Sequence, residues 1–414
     1  MEILHISTTD CLGGAAIAAL RLHQAMLSSG LKSKMLVARK SLSNQNNSIY
    51  EISPFLQKLR YINRIPDYLN SKRFQKNGLY TTDLIGINVI NNKLVQNADV
   101  VYIHYINGFL SISQLEKFIN LASKKKIVFV LHDMWLLTGG CHHSFSCDKY
   151  TNQCSNCSII KSNLFKDFSY YIHLLKKKKW CNTSNIYIIS PSTWMQNNAQ
   201  RSSLFSNSMH FTIPNPIDEN VFFPSNKKIA KEKWNIPIDD KPIILFGAIA
   251  GVNNPYKGWT ELKKALNSLP ADYCYVIVFG SIYSEEIVNS LDQKVIFAGH
   301  IKEEKDMALL YNAADAFVAP SLADNLPSTL IESMMCGIPV VSFYVGGIPD
   351  IVSHKMNGYL AKYRDSEDLA LGIQWVLSHY NELSLNAIKS TKERFKTSRI
   401  IDKHKLIIGE YGNK

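Results

Sequence analysis

The sequence predicts an α/β protein built from two doubly wound parallel sheets. Three observations carry this expectation. Short apolar runs alternate with amphipathic stretches almost from end to end, which is the pattern of repeated βα units. The alternation restarts after a polar, proline-bearing stretch near residue 216. The chain has 414 residues, 46% hydrophobic and 19% charged, which is ordinary globular composition but too long for one typical domain.

In order along the chain, Glu2–Ser7 reads as the first strand and Thr8–Gly14 as a polar, glycine-bearing loop. Ala15–Ser29 follows as a helix with Ala19, Leu22 and Met26 on one face and Gly30 as its stop. Met35–Ala38 is the next strand, and residues 41–50 are Ser/Asn-rich and loop-like. Residues 52–78 set Phe55, Leu56, Leu59 and Ile62 among Lys58, Arg60, Arg64 and Lys72, reading as one or two basic amphipathic helices. Asp99–His104 and Ile127–Leu131 are buried-type strands. Tyr170–Trp180 is a helix carrying the run Lys176 to Lys179, and Ile186–Ser190 and His210–Ile213 close the first half. The second half repeats the scheme with strands at Ile243–Gly247, Tyr275–Gly280, Val295–Ala298, Ala316–Ala319 and Val340–Phe343. The expected organisation is an N-terminal domain over 1–220 with a cysteine-rich insert at 141–157. A linker at 221–241, a C-terminal domain at 242–390 and a final helix at 391–414 packing back on the N-terminal domain complete it. In doubly wound folds, ligands sit beyond the carboxyl ends of the strands.

The formal net charge is +12. Charge alone leaves solubility, nucleic acid and anionic substrates at a membrane surface open. No RNA-recognition, homeodomain or helix-turn-helix signature is present, so no nucleic-acid partner is expected. The N-terminus lacks a basic stretch followed by an apolar one, and no apolar run approaches the roughly 18 residues of a membrane span. The expected location is therefore the cytoplasm, with the eight cysteines reduced or metal-bound. The sequence sets no oligomeric state.

The most informative stretch runs from Ala319 to Val341: strand, loop, helix, glycine stop, strand. Asp324 lies in the loop and Glu332 eight positions later in a helix expected to start near Ser328, so that both carboxylates can face one ligand. An ionised carboxylate only accepts hydrogen bonds and can take two adjacent sugar hydroxyls. Taken alone, such a pair would be a helix cap and a solvated helix residue. The flanking Pro320-Ser321, Asn325-Leu326-Pro327 and Cys336-Gly337-Ile338-Pro339-Val340-Val341 make it specific. Upstream, Lys257-Gly258 follows the strand ending in Phe246-Gly247, where an ammonium can meet a diphosphate as a point charge. In the first half, Gly13-Gly14 lies between strand and helix, where missing side chains let a phosphate approach the helix N-terminus. His132 and Asp133 end a buried strand, and an imidazole there can donate to a sugar hydroxyl; His104 is a weaker candidate. Cys141, Cys147, Cys154 and Cys157 crowd one segment beside His142 and His143. Four soft ligands with a Cys-x2-Cys pair suit a tetrahedral structural zinc, and unligated thiols are the other reading.

These motifs resemble the family-4, retaining glycosyltransferases of GT-B fold: two Rossmann-like domains facing across a cleft. The family's Glu-x7-Glu motif before a Gly-x-Pro-Val-Val strand falls on Asp324 and Glu332, with Asp in the first position. The resemblance implies that Glu332 holds the donor ribose, and that Asp324 and the backbone N–H groups of Asn325 and Leu326 hold the sugar and phosphates. It implies that Lys257 and the Gly13-Gly14 loop meet the diphosphate, that Gly280 and His300 lie near the base, and that His132 lines the sugar pocket. His132, Asp324 and Lys257 are the expected catalytic residues. The Thr138-Gly139-Gly140-Cys141-His142 insert resembles a branch from capsule and colanic-acid-type gene clusters. The implied activity is transfer of a sugar, with retention, from a nucleotide-diphosphate sugar to a lipid-linked surface-polysaccharide acceptor. No cofactor is implied for the chemistry. The basic helices fit peripheral attachment to the anionic inner membrane face. A sugar-nucleotide 2-epimerase and an inactive glycan- or lipid-binding protein of the same architecture remain as alternatives; a nucleic-acid-binding zinc protein leaves the donor motif unexplained.

Overall fold

In the computed structural model, residues 1–41, 47–63, 78–162, 164–181, 183–247, 254–281 and 283–410 are described. The chain divides into two units, Met1–Pro216 with Ser398–Lys414, and Ile217–Thr397.

Among the described residues, the first unit is built on a seven-stranded sheet. Its strands are β1 (Glu2–Thr9), β2 (Lys32–Arg39), β3 (Ile49–Glu51), β4 (Val100–Ile103), β5 (Lys126–Val130), β6 (Ile186–Ser190) and β7 (Met209–Thr212). All neighbours are parallel, in the order β3-β2-β1-β4-β5-β6-β7. Central strands such as Val100–Ile103 and Ile186–Ser190 are buried at every position, because helices cover both faces. Alternate residues feed two cores: Ile127 and Phe129 face one, Val128 and Val130 the other. The second of these is closed by Ile400, Ile401, Ile407 and Ile408 of the chain's last helix, Thr397–Glu410. Lys126 Nζ caps that helix by donating to the carbonyls of Ile407 and Ile408 at 3.2 and 2.6 Å.

The second unit has a six-stranded parallel sheet among the described residues. It comprises β8 (Ile243–Gly247), β9 (Tyr275–Phe279), β10 (Lys294–Gly299), β11 (Ala316–Ala319), β12 (Val340–Phe343) and β13 (Gly358–Ala361) in the order β10-β9-β8-β11-β12-β13. Ile243 and Leu245 face one core and Ile244 and Phe246 the other.

Three expectations need correction. The stretch 221–241 is not a linker: it carries the helix Lys227–Lys233, and Phe222, Ala230 and Ile236 belong to the core of the second unit. Its Asn, Lys and Pro content concealed three widely spaced apolar anchors. The final helix does not begin at 391. Helix Tyr380–Phe395 belongs to the second unit and the chain breaks at Lys396, whose ψ of 126° is extended, before Thr397–Glu410 begins. The run Lys176 to Lys179 is not wholly a basic surface open to a membrane. Lys176 is fully buried within helix Phe168–Lys179, donates to the Trp135 and Thr138 carbonyls, and sits 3.6 Å from the Trp135 ring centroid. Burial pulls its pKa down to about 7.

The basic reading of 52–78 is described only in part. Pro54–Asn63 is a helix with Phe55 71% exposed, and residues 64–77 lie outside the described residues. Among the described residues, no helix is long and apolar enough to cross a membrane.

Candidate functional site

In each sheet the strand order reverses once, between β1 and β4 and between β8 and β11. Each unit therefore has one topological switch point, where loops at the carboxyl ends of adjacent strands part and leave a crevice.

In the second unit that crevice is a cavity of about 410 Å³ walled by Phe246, Gly247, Lys257, Ser321 and Thr329, among others. Residues 248–253 lie outside the described residues. Lys257 Nζ donates to Asp324 Oδ2 at 3.2 Å, and Ser321 Oγ donates to the same oxygen at 3.4 Å. The lysine side chain is 34% exposed and the aspartate 20%, so the pair is open enough to exchange partners. Two glycines bring the loops this close. Gly258 has φ +61°, and a Cβ there would lie 2.0 Å from the Pro320 carbonyl oxygen. Gly346 has φ +57°, and a Cβ there would lie 1.9 Å from the Asp324 carbonyl oxygen. No L side chain fits either approach.

Asn325 and Leu326 are buried at the entry to helix Ser328–Met335, whose N-terminus has no capping side chain and no acidic residue in its first turn. Its first N–H groups thus remain available for an anion. Glu332 lies on the same helix, 6% exposed, and accepts from the Tyr311 hydroxyl at 3.0 Å. Lys257 and Asp324 are therefore joined directly, whereas Glu332 is turned to Tyr311; of the three, only Lys257 lines the cavity. Gly280 and His300 sit at the carboxyl ends of β9 and β10, with the Gly280 N–H donating to the Gly299 carbonyl at 2.7 Å. They share the sheet edge but not the cavity wall.

In the first unit, Gly13 is the exposed N-cap of helix Gly14–Ser28, with φ +90° and no side-chain cap. A Cβ at Gly13 or Gly14 would meet nothing within 4 Å. His104, just past β4, and His132, just past β5, line a second cavity of about 250 Å³ with Asn107 and Asp133. Beneath them the sequence had given no hint of His5, in the middle of β1. Its Nδ1 lies 2.9 Å from His104 Nε2, and His104 Nδ1 lies 3.0 Å from His132 Nε2. Burial lowers the pKa of His5 and His104 well below the usual imidazole value and that of His132 to about 4.

Asp133 is held by His142, whose Nδ1 lies 2.6 Å from Oδ2, and by the Trp135 N–H at 2.8 Å. Burial opposes its ionisation, yet these contacts keep its carboxyl below the usual carboxylate range. His142 Nε2 lies 3.1 Å from Thr81 Oγ1, and Thr81 in turn donates to Asp83. The cysteine-rich insert thus reaches back through His142 to fix the strand-end Asp133, a role the sequence did not reveal.

The four cysteines ring one cavity of about 300 Å³. The Gly139 N–H donates to Cys154 Sγ at 3.2 Å, and the backbone N–H groups of Ile159 and Ile160 bear on Cys157. Burial pushes the Cys154 thiol up to about 12 and raises Cys141 and Cys157. Among the described residues, no three His, Cys, Asp or Glu groups converge as a metal centre.

Comparison with known proteins gives this arrangement its class. Residues 227–394 match the family model described as glycosyl transferases group 1, within the second unit. The whole chain superposes on sucrose-phosphate synthase from Thermosynechococcus elongatus, with a TM-score of 0.69, 18% identity and 100% of both chains covered. It also superposes on HepE from Anabaena, solved in complex with UDP, with a TM-score of 0.67, 17% identity, and 99% of this chain and 100% of that one covered. The chain therefore has the GT-B fold, and its residues 227–394 form a domain that matches glycosyl transferases group 1. Within that class it is 24% identical over 361 residues, 83% of each chain, to the putative colanic acid biosynthesis glycosyl transferase WcaC of Escherichia coli (strain K12). It is 23% identical over 210 residues to N-acetyl-alpha-D-glucosaminyl L-malate synthase of Bacillus anthracis, covering 47% of this chain and 52% of that protein. Several curated relatives are matched in this way over only about half their length.

Proposed function

We propose that this chain transfers a sugar, with retention of configuration, from a nucleotide-diphosphate sugar to a growing surface polysaccharide on a lipid carrier. The observation that carries the reading is Lys257 on the wall of the cavity at the switch point of the second unit, paired there with Asp324. A diphosphate entering there exchanges the aspartate for its own oxygens as the lysine's partner. As the sugar leaves, charge develops on the diphosphate, and a preplaced ammonium with uncapped helix N–H groups stabilises it. Glu332, acceptor-only, takes the ribose hydroxyls once Tyr311 or the helix yields room, and Asp324 meets the sugar. In the first unit, Gly13-Gly14 offers backbone to the phosphates and His132 a polar group to the sugar. The WcaC likeness supports a surface polysaccharide as the product, and the UDP bound to HepE supports a nucleotide donor.

The test is thermal stability against UDP, GDP, ADP and CMP sugars, followed by transfer to lipid-linked acceptors. One donor should raise Tm in wild type and not in Lys257→Ala. A flat response to all of them overturns the reading, and sugar isomer formed without acceptor points to an epimerase.

Two further parts of the proposal stand apart. Attachment to anionic membrane rests on the exposed Phe55 beside Lys58 and on Lys177 and Lys178; co-sedimentation with anionic but not neutral vesicles tests it. A structural zinc would be held by Cys141, Cys147, Cys154 and Cys157. The donors are all sulfur and share one cavity, and Cys154 and Cys157 already receive N–H groups, so binding would draw the ring inward. Metal analysis should find about one zinc per chain, and less than about half an equivalent leaves free thiols.

A further inference from the structure

Three imidazoles lie end to end across the switch point of the first unit. Parallel pairing sets His5 of β1 opposite Tyr102 of β4, and the backbone N–H of His104 donates to the Ile6 carbonyl at 2.9 Å, which holds His104 beside β1 with its ring within reach of His5. His132 follows from β5. The rings lie edge to edge and close to coplanar, with interplanar angles of 23° and 27° and centroids 5.2 Å apart for His5 and His104 and 5.3 Å for His104 and His132. Nδ1 of each of the first two rings faces Nε2 of the next.

Each N···N contact needs one proton, since two N–H groups or two lone pairs facing each other repel. Three neutral rings carry three N–H groups. Two fill the contacts, and the third sits at one end of the chain, on His5 Nε2 or on His132 Nδ1. His5 Nε2 is buried with no hydrogen-bond partner. A proton there would leave an unsatisfied buried donor, whereas a lone pair there is tolerated far more readily.

We propose that this chain locks His132 as the Nδ1–H tautomer, so that it donates to an oxygen of the bound sugar, with His104 and His5 as positioning residues. The identity of the ligand rests on the transferase reading above; the tautomer does not. The Nδ1–H form is the reverse of what an imidazole free in water prefers. His132 Nε2 is already occupied as an acceptor, so the ring serves as a donor and not as a base through that nitrogen. Burial keeps all three rings neutral, which the proton count requires.

The test is imidazole ¹⁵N–¹H correlation NMR on the full chain near neutral pH. His5, His104 and His132 should all show the Nδ1–H pattern; His132 as Nε2–H, or as a mixture, overturns the proposal. His104→Leu removes the donor to His132 Nε2. It should shift His132 toward Nε2–H and lower kcat/KM by about tenfold. His104→Asn puts an amide N–H where Nδ1–H stood and should restore both tautomer and turnover; failure to restore either, in a folded variant, also overturns the proposal. If His104→Leu does not fold, the wild-type spectrum still decides. Should no donor sugar support turnover in wild type while the spectrum is as expected, the transferase reading falls and the tautomer assignment stands.

Discussion

The two units share a winding order and put different chemistry at the same place. At the switch point of the second unit, a lysine and an aspartate meet in an ion pair that is partly open to solvent. At that of the first, three imidazoles meet with their charge removed by burial. The topology supplies the crevice in both, and side-chain burial decides whether it presents charge or neutral hydrogen-bonding groups. The glycines differ in the same sense. Gly258 and Gly346 are packed so tightly that added carbon would strike backbone, whereas Gly13 and Gly14 border open space. The second unit is therefore preassembled by its loops, and the first leaves room at its loop.

The largest effect that would break this contrast is at Lys257. Lys257→Ala should lower kcat/KM by about 10²–10³, the usual consequence of removing one preorganised charge-stabilising group. Steady-state kinetics on the preferred donor measures it, with circular dichroism checking the fold. A fall of less than about threefold would mean that the cation does not bear on the reaction. Next in size is Gly346→Ala, which must move the Asp324 loop. A loss of at least about 2 kcal/mol by denaturant unfolding is expected, with weaker donor binding. Unchanged stability would show that the loop contact is loose.

How far each site was legible in the sequence follows from how it is assembled. Asp324, Glu332, Gly337 and Gly346 fall within one strand–loop–helix–strand passage and the turn after it, and Lys257 lies in the loop that follows the neighbouring strand β8. Local spacing thus displayed most of the second site. It did not display that Glu332 would turn to Tyr311, because that hydroxyl arrives on a separate helix, Glu304–Ala313. The first site joins positions 5, 104 and 132 across three strands, and only the register of β1 against β4 and of β4 against β5 brings them together. Nothing in the neighbourhood of His5, an apolar strand, marks it as more than a core residue. Likewise β3 and β13 were missed because Ile49–Glu51 and Gly358–Ala361 are short and sit beside turn residues.

Acid should separate the units. His23 and His132 have pKa values lowered to about 4 and His404 to about 3, mainly by burial, with His5 and His104 lowered as well. Each lies below the unfolded value of 6.5, so the unfolded state binds the extra proton first. Their stabilisation is complete above pH 6.5 and is lost progressively as pH falls toward about 4. All five belong to the first unit, and among the described residues the second unit buries no histidine. Pulse-labelling hydrogen exchange, read on peptides from each unit, should find the first opening before the second on acidification. Simultaneous opening would refute the assignment of acid sensitivity to these rings.

The smallest change carries the sharpest test. Gly14 is the first residue of its helix, its φ is not positive, and a Cβ there would meet nothing within 4 Å. Alanine also favours the helix more than glycine does. Gly14→Ala should therefore leave unfolding within about 0.5 kcal/mol of wild type or slightly improved. Gly13→Ala is the control for strain, since its φ of +90° costs an alanine about 1–2 kcal/mol in equally open surroundings. If the open space above Gly14 is where a diphosphate lies, Gly14→Ala raises KM for the donor severalfold in a protein that folds as well as before. If KM stays put, the glycine pair serves only the turn out of β1, and the phosphate contacts belong to the second unit alone.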